Sequence, residues 1–126
     1  MQVSELVRFE NASRIAIPFA SPSRPGSILA AGFTLAMSAV TILRIDDNTG
    51  GGRWWRLGND SCNLAARGRR VCWCRLASAP PGALELFGLP ANGALVSGTA
   101  LAIESQARGP GDAMQELHDL LAEMSR

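Results

Sequence analysis

The feature that most constrains the fold is a run of seventeen residues without a charge, Ser27–Leu43. At a period of two residues, one face of this run is mainly bulky, including Leu29 and Phe33, and the other is mainly small. Such alternation is typical of β-strand structure. A buried helix is an alternative, because four apolar residues also recur at helical spacing: Leu29, Phe33, Met37 and Val40. A membrane span is the third, although a spanning helix needs about 20 apolar residues.

The segments that follow favour the strand interpretation. Val40–Ile45 is rich in β-branched residues, Asp46–Gly52 consists of turn formers, and Arg53–Leu57 is aromatic and alternating. Together they predict a β-hairpin with a flexible connection. Val71–Leu76 and Ala94–Ile103 predict further strands.

The chain ends in a pattern typical of an amphipathic helix. Asp112 is a good N-cap, so the helix is predicted over residues 112–126. Its apolar stripe consists of Met114, Leu117, Leu120, Leu121 and Met124.

A length of 126 residues predicts a single domain over residues 1–126. Within it we expect an extended N-terminal arm over residues 1–26, a β-rich core over residues 27–106 and the terminal helix. The predicted fold is α+β and β-rich: an antiparallel sandwich or roll of about five to seven short strands with one C-terminal helix.

The segment Arg53–Arg75, here called the arginine–tryptophan segment, carries most of the distinctive side chains. It contains all three tryptophans, all three cysteines and six of the 12 basic residues. Tryptophan and arginine are favoured at the energetically important positions of protein interfaces. They also suit single-stranded nucleic acid, because rings stack on bases and guanidinium groups neutralise phosphates. The predicted partner-binding residues are Arg53, Trp54, Trp55, Arg56, Arg67, Arg69, Arg70, Trp73 and Arg75.

Charge and composition help to choose between these interpretations. The formal net charge of +1 is small for a nucleic-acid binder. Charged residues make up 18% of the chain, below the usual quarter, which leaves more apolar surface than a solitary domain shows. Both observations favour a protein partner or self-association. A third interpretation is that the tryptophans belong to the core and the arginines form solvated strand edges.

The cysteines give only a weak signal for a metal site. Zinc ligands usually occur in pairs separated by two to four residues, whereas Cys72 and Cys74 are separated by one. The low-probability ligand set is Cys62, Cys72 and Cys74 with His118 or Asp60. Cysteines of this kind are more often small buried hydrophobes. The sequence has no phosphate-binding glycine motif, paired acids or nucleophile–base set, so we predict no cofactor and no enzymatic activity.

The first 20 residues contain four charges and no continuous apolar segment, which predicts the absence of a signal peptide. We therefore expect the protein in the cytoplasm or in a virion, and not in a membrane. The predicted function is that of a non-catalytic interaction or assembly subunit, such as a multi-copy structural protein of a phage or another virion. It would form a homo-oligomer or bind a protein partner through the arginine–tryptophan segment. The alternative is a binder of single-stranded nucleic acid or another polyanion.

Overall fold

Two β-sheets and one helix form the described part of the chain, in a computed structural model that covers residues 2–36, 42–49, 54–56, 61–63, 68–76, 82, 84–106 and 109–124. The strands are β1 (Gln2–Val3), β2 (Val7–Ala12), β3 (Ile15–Pro18), β4 (Ile28–Ala36), β5 (Ile42–Asp47), β6 (Trp55–Arg56), β7 (Ser61–Asn63), β8 (Gly68–Leu76), β9 (Glu85–Pro90) and β10 (Val96–Ser105). A 3-10 turn, Ala91–Gly93, lies between β9 and β10, and the helix α1 spans Pro110–Met124. The predicted class, a β-rich α+β fold with antiparallel sheets and one C-terminal helix, is confirmed. The strands outnumber the expected five to seven because several have only two or three residues.

The larger sheet has the three longest strands, β10, β4 and β8, in its middle. β1 and β2 both pair with the outer edge of β10, and β6 and β7 both pair with the outer edge of β8. Every pair is antiparallel. The sheet is therefore five strand positions wide, with β4 at its centre.

The smaller sheet has the order β3, β9, β5, again with antiparallel pairs. Gly88 of β9 lies opposite Ile15 on one side and Ile45 on the other. The sequence patterns do not predict β9, because Pro90 closes its apolar segment early. Proline is tolerated there because it lies at an irregularity of the β5–β9 pairing, where the register shifts between Ile42 and Arg44.

The uncharged run contributes one strand to each sheet, so the strand interpretation is right. β4 lies in the larger sheet and β5 begins at Ile42 in the smaller one. Every residue from Ser27 to Leu35 is buried. A charge is excluded from β4 because both of its faces are covered: one by the smaller sheet and the other by α1. No helix among the described residues is long and apolar enough to cross a membrane.

The predicted hairpin between Val40–Ile45 and Arg53–Leu57 is wrong. β5 pairs with β9 in the smaller sheet, whereas β6 pairs with β8 in the larger sheet. β5 ends at Asp47 and β6 begins at Trp55, so the seven residues 48–54 connect them; this exceeds the two to five residues typical of a hairpin loop and does not impose pairing between the two strands. Ile42 and Ile45 of β5 are buried instead against the larger sheet.

The hydrophobic core has two parts, one on each face of the larger sheet. Between the sheets, the central side chain is Phe33, which is fully buried. On the other face, Leu117 and Ala113 of α1 pack against Ile28 and Leu101. The molecule therefore has three layers: the smaller sheet, the larger sheet and the helix.

The two ends of the chain are part of these layers. Residues 1–26, expected as an arm, supply β1, β2 and β3 to the two sheets. The helix begins at Pro110, and Ala113 N–H donates to the carbonyl oxygen of Gly109 at 3.2 Å. Asp112 therefore lies in the first helical turn and is not the N-cap, although its charge is favourable there.

Candidate functional site

The arginine–tryptophan segment lies along one margin of the larger sheet. It supplies β6, β7 and β8, with β6 and β7 forming the outermost row. The sequence predicts a contact surface on this segment, and the strand register places its described positions on both faces of the sheet. Arg53 and Arg67 lie outside the described residues.

Trp54 belongs to the protein's own core. Its side chain is 8% exposed and lies in the cluster between the sheets. Its indole Nε1–H donates to Oδ2 of Asp47 at 3.0 Å, while Oδ1 of Asp47 accepts from the backbone N–H of Thr49 at 3.0 Å and from its hydroxyl. Because the ring is enclosed and its polar group is bound, Trp54 is not a free contact residue. The interpretation of the tryptophans as core residues is correct at this position.

The remaining positions of the segment follow from backbone register, since directly opposite residues of an antiparallel pair occupy the same face of a sheet. Arg75, Trp73 and Arg69 lie opposite Leu29, Ala31 and Leu35, respectively, and Arg56 lies opposite Trp73. These four positions therefore belong to the face that is directed at the smaller sheet. Two belong to the helix face, opposite Thr34 or Cys74: Arg70 and Trp55. The described positions of the segment thus lie along the same margin, on both faces of the sheet.

The candidate metal ligands are divided in the same way. Cys62 lies opposite Arg69, whereas Cys72 and Cys74 occupy the alternate positions of β8 and so belong to the other face. His118 is half-buried on α1. No group of three potential metal ligands comes together in the part of the chain that the structure describes.

The second candidate surface is the outer face of the smaller sheet, which the sequence analysis does not identify. Along β9 the inward residues are Leu86, Gly88 and Pro90, which are buried, while Phe87 and Leu89 point outward and are only half-buried. An exposed sheet face normally alternates with polar residues outward. Two large apolar side chains at the centre of an outward sheet face are therefore unusual.

The orientation of β9 is fixed by Phe33 of β4. A Cβ atom at Gly88 would lie 2.5 Å from Cε1 of Phe33, so only glycine leaves room for that ring. Because alternate residues of a strand face opposite sides, Gly88 facing inward requires Phe87 and Leu89 to face outward. The outward position of these two half-buried apolar residues thus follows from the packing of the core.

Charged side chains surround the apolar centre of this face. The guanidinium carbon Cζ of Arg14 lies 3.9 Å from the centroid of the Phe87 ring, which is a cation–π contact. On the other side, Nη2 of Arg44 lies 3.4 Å from Oδ2 of Asp46, and both side chains are exposed. A shallow cavity of about 420 Å3 lies at the Leu89 end, lined by Ser13, Arg44, Leu89, Pro90 and Gly93. An arginine beside an aromatic ring, on a partly accessible apolar surface, is typical of a protein-binding surface.

One buried carboxylate, Glu104 on β10, has a structural role. It is 5% exposed, and its Oε2 accepts from the backbone N–H of Arg24 at 2.6 Å and from Oγ of Ser27 at 2.7 Å, while Oε1 accepts from Nε2 of Gln2 at 2.9 Å. Burial raises the pKa of Glu104, but these three hydrogen bonds outweigh it and leave the pKa below its ordinary value. The ionised side chain therefore joins β1, the loop before β4 and the end of β10.

Comparison of the chain with protein-family models, with curated proteins and with solved structures gives no significant match.

Proposed function

We propose that this protein is a non-catalytic interaction or assembly subunit that binds another protein surface through the outer face of its smaller sheet. The observation that supports this most directly is the outward position of Phe87 and Leu89 on the central strand of that sheet. Burial of a large apolar side chain contributes about 1.5–3 kcal/mol when it passes from full exposure to full burial. Two half-buried residues leave a part of this energy available to a partner.

The setting we propose is a multi-copy assembly, such as the particle of a phage or another virion. A small contact face gives weak individual contacts, and many copies in a particle add such contacts into a stable assembly. The low overall content of charged residues, 18%, agrees with a surface that is largely covered in the assembled state.

Native mass spectrometry and analytical ultracentrifugation of the purified protein test this proposal. Phe87→Ser should abolish association while leaving the fold intact, since the side chain is outside the main core. Val3→Thr is the control, because Val3 is an exposed apolar residue on a strand that lies at the edge of the larger sheet, away from the proposed surface. Association that is equally strong in wild type and Phe87→Ser would contradict the proposed surface.

The alternative function, binding of single-stranded nucleic acid or another polyanion, is favoured by the arginine positions of the sheet margin. Positions 56, 69, 70 and 75 lie on two adjacent strands, β6 and β8. Fluorescence anisotropy with a labelled oligonucleotide tests this at two salt concentrations. Phosphate contacts require an affinity that falls steeply with salt and falls further in Arg69→Ala and Arg70→Ala. Affinity that is independent of salt removes this alternative.

A further inference from the structure

We infer that the partner of the outer face is the same face of a second copy of this chain, related by a twofold axis that runs across the strands and passes through Phe87. In this arrangement Glu85 of each copy lies between Arg14 and Arg44 of the other. This inference rests on the proposed function, which it deepens by naming the partner.

The outward residues of the smaller sheet form three rows, as the strand register shows. In the first row Leu89 lies opposite Arg44, and Arg14 precedes the neighbouring strand β3 on the other side. In the middle row Phe87 lies between Ala16 and Asp46. The last row contains Glu85 opposite Pro18. Two arginines thus occupy one end of the face and one acid the other.

This distribution of charge selects the direction of the axis. A twofold axis across the strands brings the arginine end of one copy over the Glu85 end of the other, with Phe87 against Phe87 at the centre. An axis parallel to the strands would instead bring Arg14 of one copy over Arg44 of the other, and like charges that face each other are unfavourable. The twofold axis across the strands is therefore the arrangement that places opposite charges in contact at two symmetry-related positions.

The net charge of the face is also compatible with self-association. It carries two arginines and two acids, Asp46 and Glu85, so two copies do not repel each other as a whole. Asp46 lies near the axis and approaches its counterpart, but Arg44 of the same chain at 3.4 Å offsets that charge. Within the described part of the chain, Arg14 and Glu85 form no ion pair, so both charges are available to the second copy.

The size of the face sets the expected strength. Three strands about 4.8 Å apart with about six residues at ~3.3 Å each present a few hundred Å2 per copy. A stable dimer usually buries about 800 Å2 per partner, so this contact is at the weak end. We expect a dissociation constant on the order of 10–100 µM for the isolated dimer. Such a contact is stable only where many copies are held together.

A pair of charge-reversed variants tests the geometry. Arg14→Glu and Glu85→Arg each place like charges at both contacts of a homodimer, and each should weaken self-association by roughly tenfold or more. In a mixed dimer, one copy carries an acid at positions 14 and 85 and the other an arginine at both, so each of the two contacts between positions 14 and 85 again joins opposite charges, while Arg44 of one copy faces the new arginine of the other. An equimolar mixture should therefore associate more strongly than either variant alone, which an effect on folding alone would not produce. Isotopic labelling of one variant lets native mass spectrometry identify the mixed dimer, and circular dichroism checks that each variant is folded.

The possible outcomes separate this inference from the proposed function. A wild-type protein that remains monomeric at millimolar concentration overturns the inference. Self-association that is lost in Phe87→Ser but unaffected by either charge reversal, or that the mixture does not restore, overturns the twofold arrangement and leaves the outer face as a contact surface. Self-association that is unaffected by all three substitutions overturns both.

Discussion

Substitution of the buried carboxylate Glu104 by glutamine gives the sharpest test of how the N-terminal segment is held. In the wild type its two oxygens accept three hydrogen bonds, from Arg24, Ser27 and Gln2, at 2.6–2.9 Å. An amide has one accepting oxygen and one donating nitrogen. Whichever way the new side chain is oriented, its NH2 group faces at least one donor, so at least one hydrogen bond is lost.

The expected loss of stability in Glu104→Gln follows from the number and kind of hydrogen bonds that Glu104 accepts. Hydrogen bonds to a charged group contribute about 1.5–3 kcal/mol each, and the bonds that remain in the variant are to a neutral acceptor and are weaker. The Ser27 hydroxyl keeps an alternative acceptor, the carbonyl oxygen of Arg24 at 2.8 Å. We therefore expect Glu104→Gln to lower the free energy of unfolding at neutral pH by about 2–3 kcal/mol. For a chain of this size that corresponds to a fall in Tm of roughly 8–12 °C.

The stabilisation that Glu104 provides should decrease as the pH falls. The pKa of Glu104 in the folded state is below its ordinary value of 4.5. The unfolded chain therefore takes up the proton first as the pH falls, and the stabilisation by Glu104 is present above pH 4.5 and lost as the pH falls through the folded-state pKa. The glutamine variant lacks this contribution at every pH, so the gap between the two proteins should narrow below pH 4.5.

Urea unfolding followed by circular dichroism at neutral and acidic pH measures both effects. Glu5→Gln is the control, because Glu5 is an exposed acid in the same N-terminal segment and its substitution should change stability by less than about 0.5 kcal/mol. A variant as stable as wild type at neutral pH would refute the structural role of Glu104. A gap that stays constant into the acidic range would refute the assignment of a lowered pKa.

Three further substitutions test other parts of the structure by the same measurement. Trp54→Phe leaves the Asp47 carboxylate without one of its buried donors and should lower the free energy of unfolding by about 1–2 kcal/mol; an unchanged value would mean that the indole bond is not formed in solution. Gly88→Ala places a carbon 2.5 Å from the ring of Phe33 and should cost about 1–3 kcal/mol, with part of the loss recovered by adding Phe33→Leu; a lone Gly88→Ala that is neutral would contradict the packing between the sheets. Ser4→Ala removes the hydroxyl oxygen that accepts a hydrogen bond from the Ala102 amide of β10 at 2.9 Å, and it should lower the free energy of unfolding by about 1 kcal/mol. Hydrogen exchange at that amide should become faster. Exchange at the wild-type rate would contradict the pairing of this segment with β10.

The fold class could be predicted from the sequence because its signals are local. The alternation of Ser27–Leu43, the strand pattern of Val71–Leu76 and the stripe on the terminal helix each describe one element and its faces. The partners of the strands could not be predicted in the same way. β5 and β6 are close in sequence but lie in different sheets, because Ile42 and Ile45 are buried against the core while the loop between the strands is too long to impose pairing.

The binding residues could be predicted only in part for a related reason. Clustering of tryptophan and arginine in the sequence identifies residues that bind strongly, but not which of them are already engaged by the chain itself. Trp54 is engaged, because its indole N–H donates a hydrogen bond to Asp47, the last residue of β5. That contact joins two segments separated by a loop without a regular pattern, and no periodicity in the sequence indicates it.

The outer face of the smaller sheet shows what local pattern reasoning leaves out. In Glu85–Pro90 a period of two separates Glu85, Phe87 and Leu89 from Leu86, Gly88 and Pro90, so both sets contain apolar residues and hydrophobicity alone does not decide which set faces the core. In the structure the set with Gly88 faces inward, because Phe33 on a distant strand occupies the space that a side chain at position 88 would need. The inward and outward sides of β9 are thus decided by a contact between two sheets and not by the strand's own sequence. Places where apolar side chains stay partly accessible for such a reason are where a functional surface is expected, since that accessibility carries a cost unless a partner covers it.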